Sequence, residues 1–139
     1  MNERLLVPID DSDPARAALE EATELFDPKE IVLLHVLELD EVTYGAAGAA
    51  AEGIREEREE EARELFDDAR RTLGDDVSVE TVLETGDPSS VIVNVAEAKA
   101  VDHIVMGSHG RSGLSGILVG SVAENVIGNS PVSVTISRP

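Results

Sequence analysis

The chain has 139 residues, with 29 acidic against 11 basic side chains and a net charge of -18. That length fits one domain, expected over 1–139, burying about two-thirds of the surface its unfolded chain exposes. The charge repels nucleic acid and anionic lipid at long range, no apolar run reaches the roughly eighteen residues a membrane helix needs, and the lack of cysteine removes disulfide and thiolate chemistry. The opening MNERLLVPIDDS is too short an apolar stretch, too soon broken by acids, for a signal peptide, so a cytoplasmic address is expected. Lys29 and Lys99 are the only lysines. An acid excess of this kind keeps a surface soluble, and it also fits a salt-rich cytoplasm in which self-repulsion is screened.

RLLVPID (4–10) reads as a short buried strand ending in acids. Asp13-Pro14 then signals a helix cap followed by proline at the first helical position. Ala15, Ala18, Ala22, Leu25 and Phe26 recur on one face of that helix. IVLLHVLEL (31–39) is a continuous apolar strand of the kind buried on both faces. A Gly/Ala-rich connection over about 40–53, VTYGAAGAAAEG at its heart, is expected to be mobile. The next helix turns Ile54, Ala62, Leu65, Phe66, Ala69 and Leu73 inward and a solvated acidic face outward, with Glu59–Arg63 and Asp67–Arg71 as favourable i,i+4 pairs. VSVETVLE (77–84) alternates, as a strand near a sheet edge does. Gly86-Asp87-Pro88 repeats the cap-then-proline signal ahead of a helix through Val91, Ile92, Val95 and Ala96. DHIVMG (102–107) is another buried strand. In SVAE (121–124), serine as N-cap and glutamate three later spell a capping box. The helix it opens stops at Gly128-Asn129, before Pro131, and VSVTIS (132–137) follows as a last strand.

Strands alternating with helix-length crossovers predict an α/β fold, a parallel sheet with helices on both faces. Ligands of such sheets sit outside the carboxyl ends of the strands where strand order reverses. That nominates the loops after Ile9, Val36 and Met106. In the last of them, GSHGRSGLSGILVGSV (107–122) holds five of the eleven glycines, at 107, 110, 113, 116 and 120. A glycine-rich backbone can turn sharply and bare its amides, and the helix from Ser121 adds unpaired N–H groups and a positive dipole end. Together they predict an anion site, most simply for phosphate, with Arg111 as the fixed cation of the segment. Against so negative a chain, a triphosphate calls for Mg2+ or Mn2+ beside it. A Walker A loop is excluded, because no Gly-Lys pair exists, and G-x-G-x-x-G is absent too.

Gly107-x-x-Gly110, nine residues, then Gly120-Ser121 resembles the nucleotide motif of the universal stress protein family, ATP-binding subtype. DHIVMGSHGRSGLSGILVGSVAENVIGNSPVSVTI is similar to that family's C-terminal signature, LLVPIDDSDPARAAL to its first strand and helix, IVLLHVLE to its second strand and GDPSSVIVNVAEAKAVD to its third crossover. The resemblance implies a Rossmann-like, adenine-nucleotide alpha-hydrolase-like sheet of five parallel strands in order 3-2-1-4-5. It implies a bound adenine nucleotide, ATP or else AMP or ADP, with Mg2+ or Mn2+ held through the phosphates. Asp10 would hold the ribose or neighbouring polar atoms, with Pro8 and Ile9 lining the base. Val36 would meet the adenine through its backbone, and Met106 and Gly107 would flank ribose and adenine. Gly110, Gly120, Ser121 and Val122 would present N–H and hydroxyl donors to the phosphates, with His109 and Arg111 over the phosphate tail. Gly113 and Gly116 fall outside the motif's fixed positions.

Other readings fit less of the chain. A receiver domain would share the acidic pair Asp10-Asp11 and a hydroxyl at Ser108, yet Leu83-Glu84-Thr85 lacks the phosphoacceptor and the last strand has no lysine. A flavin carrier needs flat stacking partners near the strand ends, and Phe26, Tyr44 and Phe66 lie elsewhere. The G-x-S-x-G elbow is missing, and Ser108, Ser112 and Ser115 have only His109 as a neighbouring base. His35 and His103, within strands, read as packing or surface residues rather than metal ligands. The uncharged segment PVSVTIS, at a sheet edge, invites pairing with a second copy through Val132, Val134 and Ile136. The expected function is a homodimeric, ATP-dependent regulatory module read by an unidentified protein client, with no catalytic residue and at most slow ATP hydrolysis. The alternative is an interaction module that dimerises without nucleotide.

Overall fold

The computed structural model describes residues 4–38, 49–109 and 119–139. Their elements run β1 (Arg4–Pro8), α1 (Asp13–Phe26), β2 (Glu30–Leu37), α2 (Ala49–Leu73), β3 (Ser78–Thr85), α3 (Pro88–Ala98), β4 (His103–Gly107), α4 (Ser121–Asn129) and β5 (Ser133–Ser137). The strands form one parallel sheet in the order β3-β2-β1-β4-β5. Strand order reverses between β1 and β4, because the chain first builds outward through β2 and β3 and then returns to the other side of β1.

Side-chain alternation splits the core into two layers. Leu5, Val7, Ile9, Ile31, Leu33 and Val105 pack on one face against Ala18, Leu19 and Ala22 of α1 and Ala62, Phe66, Ala69 and Leu73 of α2. Leu6, Val32, Leu34, Ile104 and Met106 pack on the other against Ile92, Val95 and Ala96 of α3 and Ala123 and Val126 of α4. The central strands are apolar on both sides for this reason, and the expected α/β sheet with helices on both faces is the observed one.

Several local expectations need correction. Ser12, not Asp13, caps α1: its hydroxyl accepts from the Ala15 amide at 3.3 Å, and its own amide is held by Asp10 Oδ1 at 2.8 Å. The buried residues of α1 are Pro14, Ala15, Ala18, Leu19 and Ala22, all in its first three turns, while Phe26 is partly buried and Leu25, in the last turn, is 66% exposed. Helix α2 already begins at Ala49, so the last part of the connection expected over 40–53 is helical. The rest of that connection lies outside the described residues. The acidic face of α2 is laced by i,i+3 pairs, Arg63 with Glu60 and Arg71 with Asp68, rather than the i,i+4 pairs expected. The cap at α3 is as expected: Asp87 accepts from the Ser90 amide at 3.1 Å. That bond, with the Ser89 and Ser90 hydroxyls, holds the Asp87 carboxyl below its usual range.

Candidate functional site

The site begins where β1 parts from both neighbours. In a parallel strand, the N–H and C=O of one residue point to the same side, and successive residues alternate sides. The Ile9 amide donates to the Leu34 carbonyl at 2.8 Å, so odd residues of β1 face β2 and even ones face β4. Pairing with β4 covers only Leu5↔His103 and Leu6↔Ile104. The next rung would run from residue 8 to the Val105 carbonyl, and Pro8 has no N–H to give. Proline therefore opens a crevice between β1 and β4 at the switch point, the place where open α/β sheets take ligands.

Separation from β2 follows one residue later. Pairing stops at Pro8↔Leu34. The Leu34 carbonyl points to β1 and the Leu37 carbonyl, which accepts from the Gly86 amide at 2.9 Å, points to β3. By the same alternation, the N–H and C=O of Val36 point to the β1 side, beyond the last paired residue. Val36 lines the cavity, and among the described residues neither group has a partner on β1.

The cavity has a volume of about 1000 Å³. Ten of the twelve expected site residues line it: Pro8, Ile9, Asp10, Val36, Met106, Gly107, His109, Gly120, Ser121 and Val122. Gly110 and Arg111 lie outside the described residues, as do Gly113, Gly116, Ser112, Ser115 and Tyr44. Two glycines act here through their missing side chains. A Cβ on Gly107 would stand 2.7 Å from both the carbonyl carbon and Cβ of Pro14, so glycine lets α1 begin directly against the end of β4. A Cβ on Gly120 would stand 3.1 Å from His109 Cβ and 3.4 Å from the Ser108 carbonyl.

Gly120 differs from expectation in its amide, which donates to the Ser108 carbonyl at 2.6 Å and is already spent. The Ser108 amide in turn donates to the Ser137 carbonyl at 2.8 Å. These two bonds tie the end of β4, the start of α4 and the end of β5 together at one neck. Ser108 is buried, with its hydroxyl 3.1 Å from Nδ1 of His109. Helix α4 is not opened by the capping box expected of Ser121 and Glu124. Its N-cap is Gly120, which has no side chain to cap with, and Ser121 is the first helical residue. Residues 119–124, the start of this helix, all line the cavity. An uncapped helix start offers amides and a positive partial charge to an anion.

One wall escaped the sequence reading. Arg58, Glu61 and Asp68 of α2, on the face expected to be solvated, line the cavity together with Glu64 and with Leu65, which is expected inward. The 3-4-3 spacing of Arg58, Glu61, Leu65 and Asp68 puts them on one side of the helix, which was the available signal. Arg58 is paired to Glu61 at 3.1 Å. The described lining thus carries seven carboxylates, Asp10, Asp11, Glu38, Glu61, Glu64, Asp68 and Glu124, against one guanidinium. His35 also lines the cavity, with Nδ1 2.8 Å from the Ile9 carbonyl. His103 lies away from it, bonded to the Thr135 hydroxyl at 2.7 Å and against the Phe26 ring, and burial lowers its pKa. Among the described residues, no three His, Asp or Glu side chains gather as a metal site.

Fold and site together define an open parallel α/β protein with a cavity at its switch point. Comparison with known proteins gives the family. The model of the Universal stress protein family matches residues 1–138, and the chain belongs to that family. Universal stress protein MJ0577 of Methanocaldococcus jannaschii is 35% identical over 153 aligned residues, covering 96% of this chain and 94% of that protein. The solved structure of MJ0577 matches with a TM-score of 0.89 at 32% identity, covering 100% of this chain and 97% of the other. Universal stress protein UspA from Lactobacillus plantarum matches with a TM-score of 0.80 at 25% identity, over 99% of this chain and 98% of its own. A family protein from Arabidopsis thaliana, solved with AMP bound, shares the fold at a TM-score of 0.65 and 21% identity, covering 97% and 90% of the two chains.

Proposed function

We propose that the cavity binds an adenine nucleotide, ATP in preference to ADP or AMP, and that the protein is a nucleotide-dependent regulatory module rather than a fast catalyst. One observation carries this reading: Val36, whose N–H and C=O have no partner on β1 among the described residues, and the uncapped start of α4 line the same cavity. A donor and an acceptor side by side match N1 and the N6 amine of adenine. Guanine presents N1–H and O6 there, the reverse pattern, and leaves both backbone groups unmatched at a cost of about 1–3 kcal/mol each. The amides of α4 suit phosphate oxygens, and the Ser121 hydroxyl and Arg111 would add to them. The AMP held by the Arabidopsis fold relative supports the reading at the level of fold.

The carboxylates around the cavity oppose a triphosphate, so Mg2+ or Mn2+ carried on the phosphates would supply the compensating charge. The protein would act in the cytoplasm as a homodimer joined along the free edge of β5, through Val132, Val134 and Ile136, with a protein client reading the bound state.

Titration calorimetry in molar KCl tests the site. ATP with Mg2+ should bind, GTP at least tenfold more weakly, and Gly120→Val should weaken ATP by pushing His109 and Ser108 apart. No heat at millimolar ATP from folded protein would end the reading. Light scattering tests the assembly independently, a monomer at micromolar concentration counting against it.

A further inference from the structure

The β1–β2 ladder stops although its geometry allows one more rung. Ile9 donates to the Leu34 carbonyl at 2.8 Å, and the next bond in a parallel ladder would run from the Val36 amide to the Ile9 carbonyl. That carbonyl instead has Nδ1 of His35 at 2.8 Å. A carbonyl only accepts, so Nδ1 carries the proton and the neutral ring is the Nδ1–H tautomer. His35 thus engages one of the two lone pairs of the carbonyl to which Val36 would otherwise donate and holds the Ile9 end of β1 in that geometry.

We propose that His35 is a positioning residue for the nucleotide site: by donating to the Ile9 carbonyl it keeps β1 from closing on Val36 and leaves the Val36 amide available to the base. The inference rests on the adenine reading of the preceding subsection and adds a side chain that does not itself touch the ligand. It also explains how the Ile9–Asp10 turn stays bonded to β2 after the backbone ladder has ended. The ring is half-buried in the cavity wall, on the sheet face shared with Ile31 and Leu33, and it bridges the gap the ladder leaves.

Three measurements decide it. In the ligand-free wild type, 15N NMR of the His35 ring should show the Nδ1–H tautomer; the Nε2–H form ends the proposal whatever any variant does. In His35→Phe, which has no donor, the Ile9 carbonyl should capture Val36, so hydrogen exchange at the Val36 amide slows. A merely destabilised protein would show the opposite, faster exchange, and that result counts against the proposal. The same variant should bind ATP about tenfold more weakly, with a smaller preference over GTP, while binding of inorganic tripolyphosphate stays unchanged. His35→Asn, whose amide nitrogen takes the place of Nδ1, should restore most of the affinity and the preference. If wild type binds ATP and the Phe variant binds it equally with the same preference, the positioning role is wrong and the nucleotide reading stands. If wild type binds neither ATP nor tripolyphosphate, the nucleotide reading falls and the positioning role, which rests on it, falls too; tautomer and Val36 exchange then report only on the backbone contact.

Discussion

At Gly107 a backbone position is decided by one absent atom. A methyl there would overlap Pro14 at 2.7 Å, and the obstacle is the first turn of a helix rather than the end of a flexible side chain. Gly107→Ala should therefore force β4 and α1 apart, costing about 1–3 kcal/mol, measurable as a lowered urea midpoint. An unchanged midpoint would mean α1 can slide freely at its start. The expected role of Gly107 beside the ligand was read from a motif, whereas the contact with Pro14 depends on two segments meeting in space, which one-dimensional spacing does not encode. Gly120 illustrates the same limit. Its place in the wall was legible from the motif, but the commitment of its amide to Ser108 was not, because that bond depends on where the chain leaves β4.

The elements themselves were largely written in the sequence. Three apolar runs became β1, β2 and β4 because central parallel strands must be apolar on both faces, the alternating VSVETVLE and the uncharged VSVTIS became the edge strands β3 and β5, and proline after an acid marked the start of α3. What failed were the ends. The S-x-x-E pattern points to Ser121 as a cap, yet Gly120 before it already holds the extended conformation a cap needs, at φ -76° and ψ 169°. The start of α2 is hidden in sequence because glycine and alanine are interspersed there as in a mobile connection, although alanine is the strongest helix former. Burial separates two residues that periodicity had placed alike. Phe66 on α2 is 8% exposed in the core beneath β1 and β2, while Leu25 on α1 is 66% exposed. Phe66→Ala should cost about 3–5 kcal/mol and Leu25→Ala less than about 0.5, compared by denaturant unfolding. Equal losses would show that the last turn of α1 is covered in solution.

For the whole molecule the dominant quantity is a net charge of -18 on 139 residues. The salt bridges of α2 are exposed i,i+3 pairs worth a few tenths of a kcal/mol each, too little to offset repulsion spread over the surface. Screening is the larger lever: the Debye length falls from about 10 Å at 0.1 M to about 3 Å at 1 M salt. The melting temperature should rise by several degrees as KCl goes from 0.1 to 1 M, and a melting temperature flat in KCl would show that self-repulsion is unimportant. The crevice made by Pro8 carries a different consequence. Supplying the missing donor with Pro8→Val would let the two central strands zip together past Leu6, raising the unfolding midpoint while narrowing the crevice proposed to admit a base. Selection for durability alone would discard such a proline, so its presence fits a compromise in which the sheet gives up a rung to keep the proposed site accessible.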